Sequence, residues 1–174
     1  MSSYGQVTIG VPTAATYLAA TGWFTPASSP TDVAVLTGSA SKTITVLKVW
    51  VGASNTTLDN TVHTQVDLVK RSTADSGGTS SAITPVPTDS ANTATATSAS
   101  YTANPTTGTL VGKINSTRIT NAMPSQLIFD ASVMGQGILL KGTSQQLAVN
   151  LTGLTLAVNG GTGQVSASFL FRED

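Results

Sequence analysis

The chain has 174 residues, 40% hydrophobic and only 9% charged, and its 8 basic and 8 acidic residues balance to a formal charge of +0. Ordinary globular domains carry roughly 25% charged residues. The absence of cysteine excludes disulfides and thiolate chemistry, and the scattered Lys and Arg exclude the clustered basic footprint of a nucleic-acid surface. Thr (30) and Ser (20) supply most of the polar surface as hydroxyls. Residues 91–112 and 142–171 contain no charged side chain. Such faces favour association, as in a subunit that buries them against copies of itself or against a shell. The start, "MSSYGQVTIG", has no basic region before an apolar run, so it does not read as a signal peptide. No apolar run approaches the roughly 20 residues needed to span a bilayer.

Residues 1–30 are punctuated by Gly, Pro and Ser and read as an extended N-terminal arm. "PTAATYLAAT" offers at most one or two helical turns from Thr13. Two adjacent aromatics, Trp23 and Phe24, favour an arm that docks over a free tail and are its expected assembly contacts. The domain proper is expected over residues 31–174. "DVAVLTG" from Asp32 is a short strand. "TITVLKVWV" alternates with period 2 and places Ile44, Val46 and Trp50 on one face, and Leu47, Val49 and Val51 on the other. Apolar character on both faces marks a central strand between two layers. In "TVHTQVDLVKR", Val62, Val66 and Leu68 point inward, and His63, Gln65 and Asp67 outward.

Residues 72–90, rich in Ser, Thr, Gly and Pro, are predicted as a long loop. Lys70 and Arg71 stand at the strand end before it. "TATATSASYTANPTTGTLVGKI" predicts one or two strands bent at Asn104-Pro105. Near the C-terminus, Leu147, Val149 and Leu151 share a face, as do Leu154, Leu156 and Val158, and then Val165, Ala167, Phe169 and Phe171. Turns are expected at Thr152-Gly153 and Asn159-Gly160-Gly161. Short strands at this spacing predict an all-β antiparallel β-sandwich, jelly-roll-like or immunoglobulin-like.

The residues argue against catalysis. His63 is the only histidine, and Asp67 lies about 13 Å along a strand at 3.3 Å per residue. A Ser-His-Asp site through Asp32 or Asp130 needs assembly in space. Asp59, Asp67, Asp75 and Asp89 supply oxygen atoms but lack the alternating pattern of a calcium loop, so solvated carboxylates are expected and no metal. Glu173 and Asp174 read as a polar terminus. "NGGTG", residues 159–163, lacks the Lys-Ser/Thr of a phosphate loop and reads as a hairpin turn. The Asn-x-Ser/Thr triplets at Asn55, Asn115 and Asn150 are expected by chance at this Ser and Thr content. No cofactor is expected.

"SPTDVAVLTGSASKTITVLKVWV", "VDLVKRSTADSGGTSSAITPVPTDSANTATATSASYTANPTTGTLVGKI" and "GILLKGTSQQLAVNLTG" together resemble a family of small structural proteins of tailed bacteriophages and prophages. The resemblance covers residues 29–153 and is most specific in the Lys-Arg-Ser segment and in "YTANPTTGTLVG". The ending "SFLFRED" departs from the family's Trp-Thr-Glu-rich last strand, and the first thirty residues match nothing in it. The resemblance implies no catalytic residues. It implies a virion component made in the cytoplasm of a host bacterium, first of all a decoration (cement) protein on the capsid surface. Its partners would be the major capsid protein and copies of itself, as a homo-oligomer, with no nucleic acid and no membrane; residues 72–90 would then be an assembly loop, with Lys70 and Arg71 pairing with an acidic site on a neighbour. A tail, neck or fibre position is the alternative. From another class, a carbohydrate-binding β-sandwich module needs an aromatic platform, which 5% aromatic residues supply poorly.

Overall fold

The computed structural model describes residues 14–55, 63–120, 125–151 and 163–174. Period-2 patterns become strands in chain order: β1 (Ala15–Ala20), β2 (Asp32–Thr37), β3 (Thr43–Asn55), β4 (His63–Arg71), β5 (Thr79–Ile83) and β6 (Val86–Pro87). Then come β7 (Thr97–Ala103), β8 (Leu110–Thr120), β9 (Gln126–Asp130), the single helical turn α1 (Ala131–Met134), β10 (Ile138–Lys141), β11 (Gln146–Asn150) and β12 (Gly163–Glu173). One sheet runs β10-β3-β12-β1-β6, with β9 also on β3; the other runs β5-β7-β2-β11-β4-β8. The pairings are antiparallel. The two sheets pack face to face as the expected antiparallel β-sandwich.

The core follows alternation. On β12, Val165, Ala167, Phe169 and Phe171 are buried, while Ser166, Ser168 and Leu170 between them are partly exposed. Phe171 stacks on Tyr17 of β1, ring centroids 5.5 Å apart. From the facing sheet, Leu147, Val149 and Leu151 meet this layer, all buried as expected. Each such side chain contributes about 1.5–3 kcal/mol. The second hairpin expected near the C-terminus, with Leu154, Leu156 and Val158 and turns at Thr152-Gly153 and Asn159-Gly160-Gly161, lies outside the described residues.

On β3 the expected faces are corrected. Leu170 lies opposite Lys48 and Phe171 opposite Val46, so Leu47 is an extra residue, a β-bulge. The phase of alternation shifts there by one. Ile44 and Val46 face the core before the bulge, and Val49, Val51 and Ala53 after it. Trp50 therefore turns outward with Lys48.

The arm expected over residues 1–30 is also corrected. From Ala15 the chain is strand β1, inserted between β12 and β6, with Tyr17 and Ala19 buried. Thr and Tyr favour the pleated conformation over the helical turns expected there. Phe24 continues the contact through paired backbone bonds with Val165 of 3.0 and 2.8 Å. The sandwich thus includes residues 15–24, and residues 1–13 lie outside the described ones. The loop expected over residues 72–90 contains two edge strands. β5 pairs with β7 in one sheet and β6 with β1 in the other, so this segment crosses between the sheets and closes one side. Pro87, which cannot donate to a ladder, sits on the outermost strand.

Candidate functional site

Alternation also decides which side chains lie outside the sandwich. On the second sheet, Val35, Ala148, Val69 and Tyr101 form a small apolar cluster separate from the core. Around it sit the charged side chains that the chain brings together. Arg71 Nη2 donates to Asp32 Oδ1 at 2.8 Å, its Nε donates to Asp32 Oδ2, and its Nη1 donates to the Gly108 carbonyl at 2.8 Å. Asn150 Nδ2 donates to Asp32 Oδ1 at 2.6 Å. Asp75 Oδ1 accepts from Gly108 N at 2.8 Å and lies 3.7 Å from Arg71 Nε. The Asp75 backbone N donates to Gln146 Oε1 at 2.8 Å, and Gln146 Nε2 donates to Thr37 Oγ1 at 2.9 Å.

These bonds strap residues 72–78 and 104–109 over the outer side of the sheet. A backbone bridge between Ser76 and Thr106 ties the strap to itself. Gly108 is required there, because any Cβ would collide with the Thr73 carbonyl. The side chains of Asp32 and Asp75 are 0% exposed and that of Arg71 7%. Two enclosed carboxylates thus share one guanidinium. Burial, and then the Asp32 carboxylate, push Asp75 up to about 6. Its Oδ2 is enclosed without a partner, which favours the protonated form. The bond to Asp32 raises Arg71, and burial, with Asp75 and Asp32, raises the Tyr101 hydroxyl. Arg71, expected as an assembly contact, is enclosed and paired with Asp32 of its own chain. An isolated buried guanidinium is too costly, so the fold supplies its partner internally.

The other expected site residues are dispersed. Lys70 is half-buried and donates to the Leu139 carbonyl at 2.8 Å, bridging the open edge between the sheets. Phe24 packs against the core, whereas Trp23 is 45% exposed. The His63 side chain and Asp59 lie outside the described residues. Asp67 is bonded by Lys113 Nζ at 2.6 Å, Ser116 Oγ at 2.6 Å and Gln65 Nε2 at 3.2 Å. Burial pushes Asp67 up, but these bonds outweigh it and hold it below the usual carboxylate range. Asp130 caps α1 through Ser132 N at 2.9 Å and pairs with Lys48 at 3.0 Å. The Ser132 bonds, and then Lys48, hold it at about 2. Asp89 accepts from Ala91 N in a turn. Glu173 is not a solvated terminus. It is buried and accepts from Thr95 N and Ala96 N, both at 2.8 Å, pinning that segment to the end of β12. Among the described residues, no three of His, Asp and Glu converge to hold a metal, and no helix is long and apolar enough to cross a membrane.

The outer sides of the two sheets differ. The second is strapped and internally bonded. The first is bare: Leu18, Val86 and Leu170 stand opposite one another across β1, β6 and β12, and Trp50 stands opposite Leu127 across β3 and β9. At the open edge between the sheets, a cleft of about 290 Å³ is lined by Ile114, Leu127, Ile128, Phe129, Val133 and Met134 together with the polar Asn115 and Asp130. Nothing in the sequence pattern announced the Asp32–Arg71–Asp75 cluster; the only hint is three charges in strands and turns of a chain with 9% charged residues. Comparison of the chain with protein-family models, with curated proteins and with solved structures finds no match.

Proposed function

We propose that the protein is a structural component of a phage-type virion, most simply a head decoration protein that oligomerises and clamps major capsid subunits. The observation that carries this reading is where the chemistry lies. The ionisable groups that converge, Asp32, Arg71 and Asp75, are bonded to one another inside the fold, while large apolar side chains stand on an outer sheet face. A sandwich built this way presents contact surface rather than reactive groups. Its low charge suits a subunit held at high local concentration on a lattice, and the resemblance of residues 29–153 to phage structural proteins supports the same reading. The test is the position and copy number of the chain in intact particles, by quantitative mass spectrometry and image reconstruction. Hundreds of copies spread over the head are expected. A single ring of copies at the neck or tail would move the protein to that station, and absence from purified particles would overturn the reading.

A further inference from the structure

We propose that the outer face of the β10-β3-β12-β1-β6 sheet is a self-association surface that takes the same face of a second copy of this chain. The face is built by register. Val86, Leu18 and Leu170 form one row across three strands. Trp50 and Leu127 form the next, opposite Ser168. Trp23, one residue before the inward-facing Phe24, extends the face at its far end. Val86 is 65% exposed, Trp23 45%, Leu127 41% and Leu18 39%, so a large part of each apolar group is in contact with water. Both tryptophans of the chain belong to this face.

The charge on the face selects the partner. Lys48 is paired with Asp130 at 3.0 Å, and Arg172 with Asp174 at 2.9 Å, so these charges cancel in pairs, and Lys141 on the edge strand β10 adds one exposed cation at the rim. A strongly acidic or basic partner gains little from such a face. The matching surface must be flat, neutral and apolar. The outer side of the other sheet is not, being covered by the strap and by the Asp67, Lys113 and Ser116 bonds. The identical face on a second copy is such a surface, and two copies related by a two-fold axis present it to each other. Sheets pack about 10 Å apart with interdigitating side chains. Four strand spacings of about 4.8 Å by about seven residues of 3.3 Å give a footprint of roughly 450 Å². The accessible area of a ridged face exceeds its projection, which brings it near the roughly 600–800 Å² per partner of specific interfaces.

The inference rests on the self-association within the proposed function and not on the virion. The experiment is sedimentation of the intact protein from low micromolar to several hundred micromolar, with tryptophan emission read in parallel. The wild type should pass from monomer to dimer, with emission moving to shorter wavelength as Trp23 and Trp50 leave water. Leu18→Lys and Val86→Lys replace side chains that already touch solvent, so each should fold, checked by circular dichroism, and raise the association midpoint about tenfold or more. Ser81→Lys, on β5 of the other sheet, should leave it unchanged. A monomer with fixed emission over the whole range would overturn the proposal. So would association that both lysine variants leave intact, or a monomeric wild type whose attachment to particles Leu18→Lys abolishes, which would assign the face to the shell. A dimer absent from every particle would overturn the virion role and leave this one standing; a particle-bound monomer would overturn this one and leave the virion role standing without its self-association.

Discussion

Asp75→Asn should stabilise the protein at neutral pH and flatten its pH dependence. Asp75 sits with Asp32 around the single guanidinium of Arg71, its side chain 0% exposed and its Oδ2 without a partner. Its carboxyl is raised from the ordinary 3.8 to about 6. A carboxyl whose folded pKa is raised binds its proton more tightly in the folded than in the unfolded chain. Its stabilising contribution is therefore fully present below about pH 4 and is lost as pH rises through about 6. At about 1.36 kcal/mol per pH unit, the loss between pH 4 and pH 7 is about 3 kcal/mol. The substituted amide keeps a carbonyl acceptor for Gly108 N, carries no charge and offers Asp32 an N–H donor. The variant should thus gain up to about 3 kcal/mol over the parent at pH 7 and little at pH 4. Urea unfolding midpoints of both proteins at each pH from 4 to 8 measure this. Groups common to both proteins cancel in the difference between the two. Asp67 and Asp130, held low, lose their contributions only below about pH 4. A parent stability that is flat or rises from pH 4 to 7, with Asp75→Asn destabilised throughout, would refute the shared-guanidinium account.

Arg71→Met removes the partner of two enclosed carboxylates and should cost about 3–5 kcal/mol at pH 7, read from urea midpoints, with a smaller loss at pH 4, where Asp75 is protonated. Phe169→Ala should cost about 3–5 kcal/mol, because the ring is fully buried between the sheets; a midpoint close to that of the parent would show the core to be placed wrongly. Trp23→Ala, at an exposed position, should change monomer stability by no more than about 0.5 kcal/mol, whereas Phe24→Ala, packed on the core, should lower the midpoint clearly. Equal effects of the two would contradict the facing assigned to them.

Period-2 spacing alone was enough to predict an antiparallel sandwich and to name Leu147, Val149, Leu151, Val165, Ala167 and Phe169 as core, because alternation along a strand is a local property written in consecutive residues. Where the chain departs from uniform pleating, local reading failed. The bulge at Leu47 shifts the phase of β3, and its only trace in "TITVLKVWV" is Lys48 breaking the apolar row of Ile44, Val46 and Trp50; the register against β12 fixes it. Gly, Pro and Thr content made residues 15–20 and 79–87 read as arm and loop, yet both are strands, since an edge or inserted strand draws its stability from ladder bonds to partners far along the chain. Arg71 was legible as a charge but not as a buried one. Its fate depends on Asp32, Asp75 and Gly108, which are separated from it by 39, 4 and 37 residues and meet only when two loops close over the sheet. Tertiary structure alone decided which apolar residues stayed outside, because nothing local marks the facing of Leu18, Trp50 or Val86 until the register places them on the far side of the sheet.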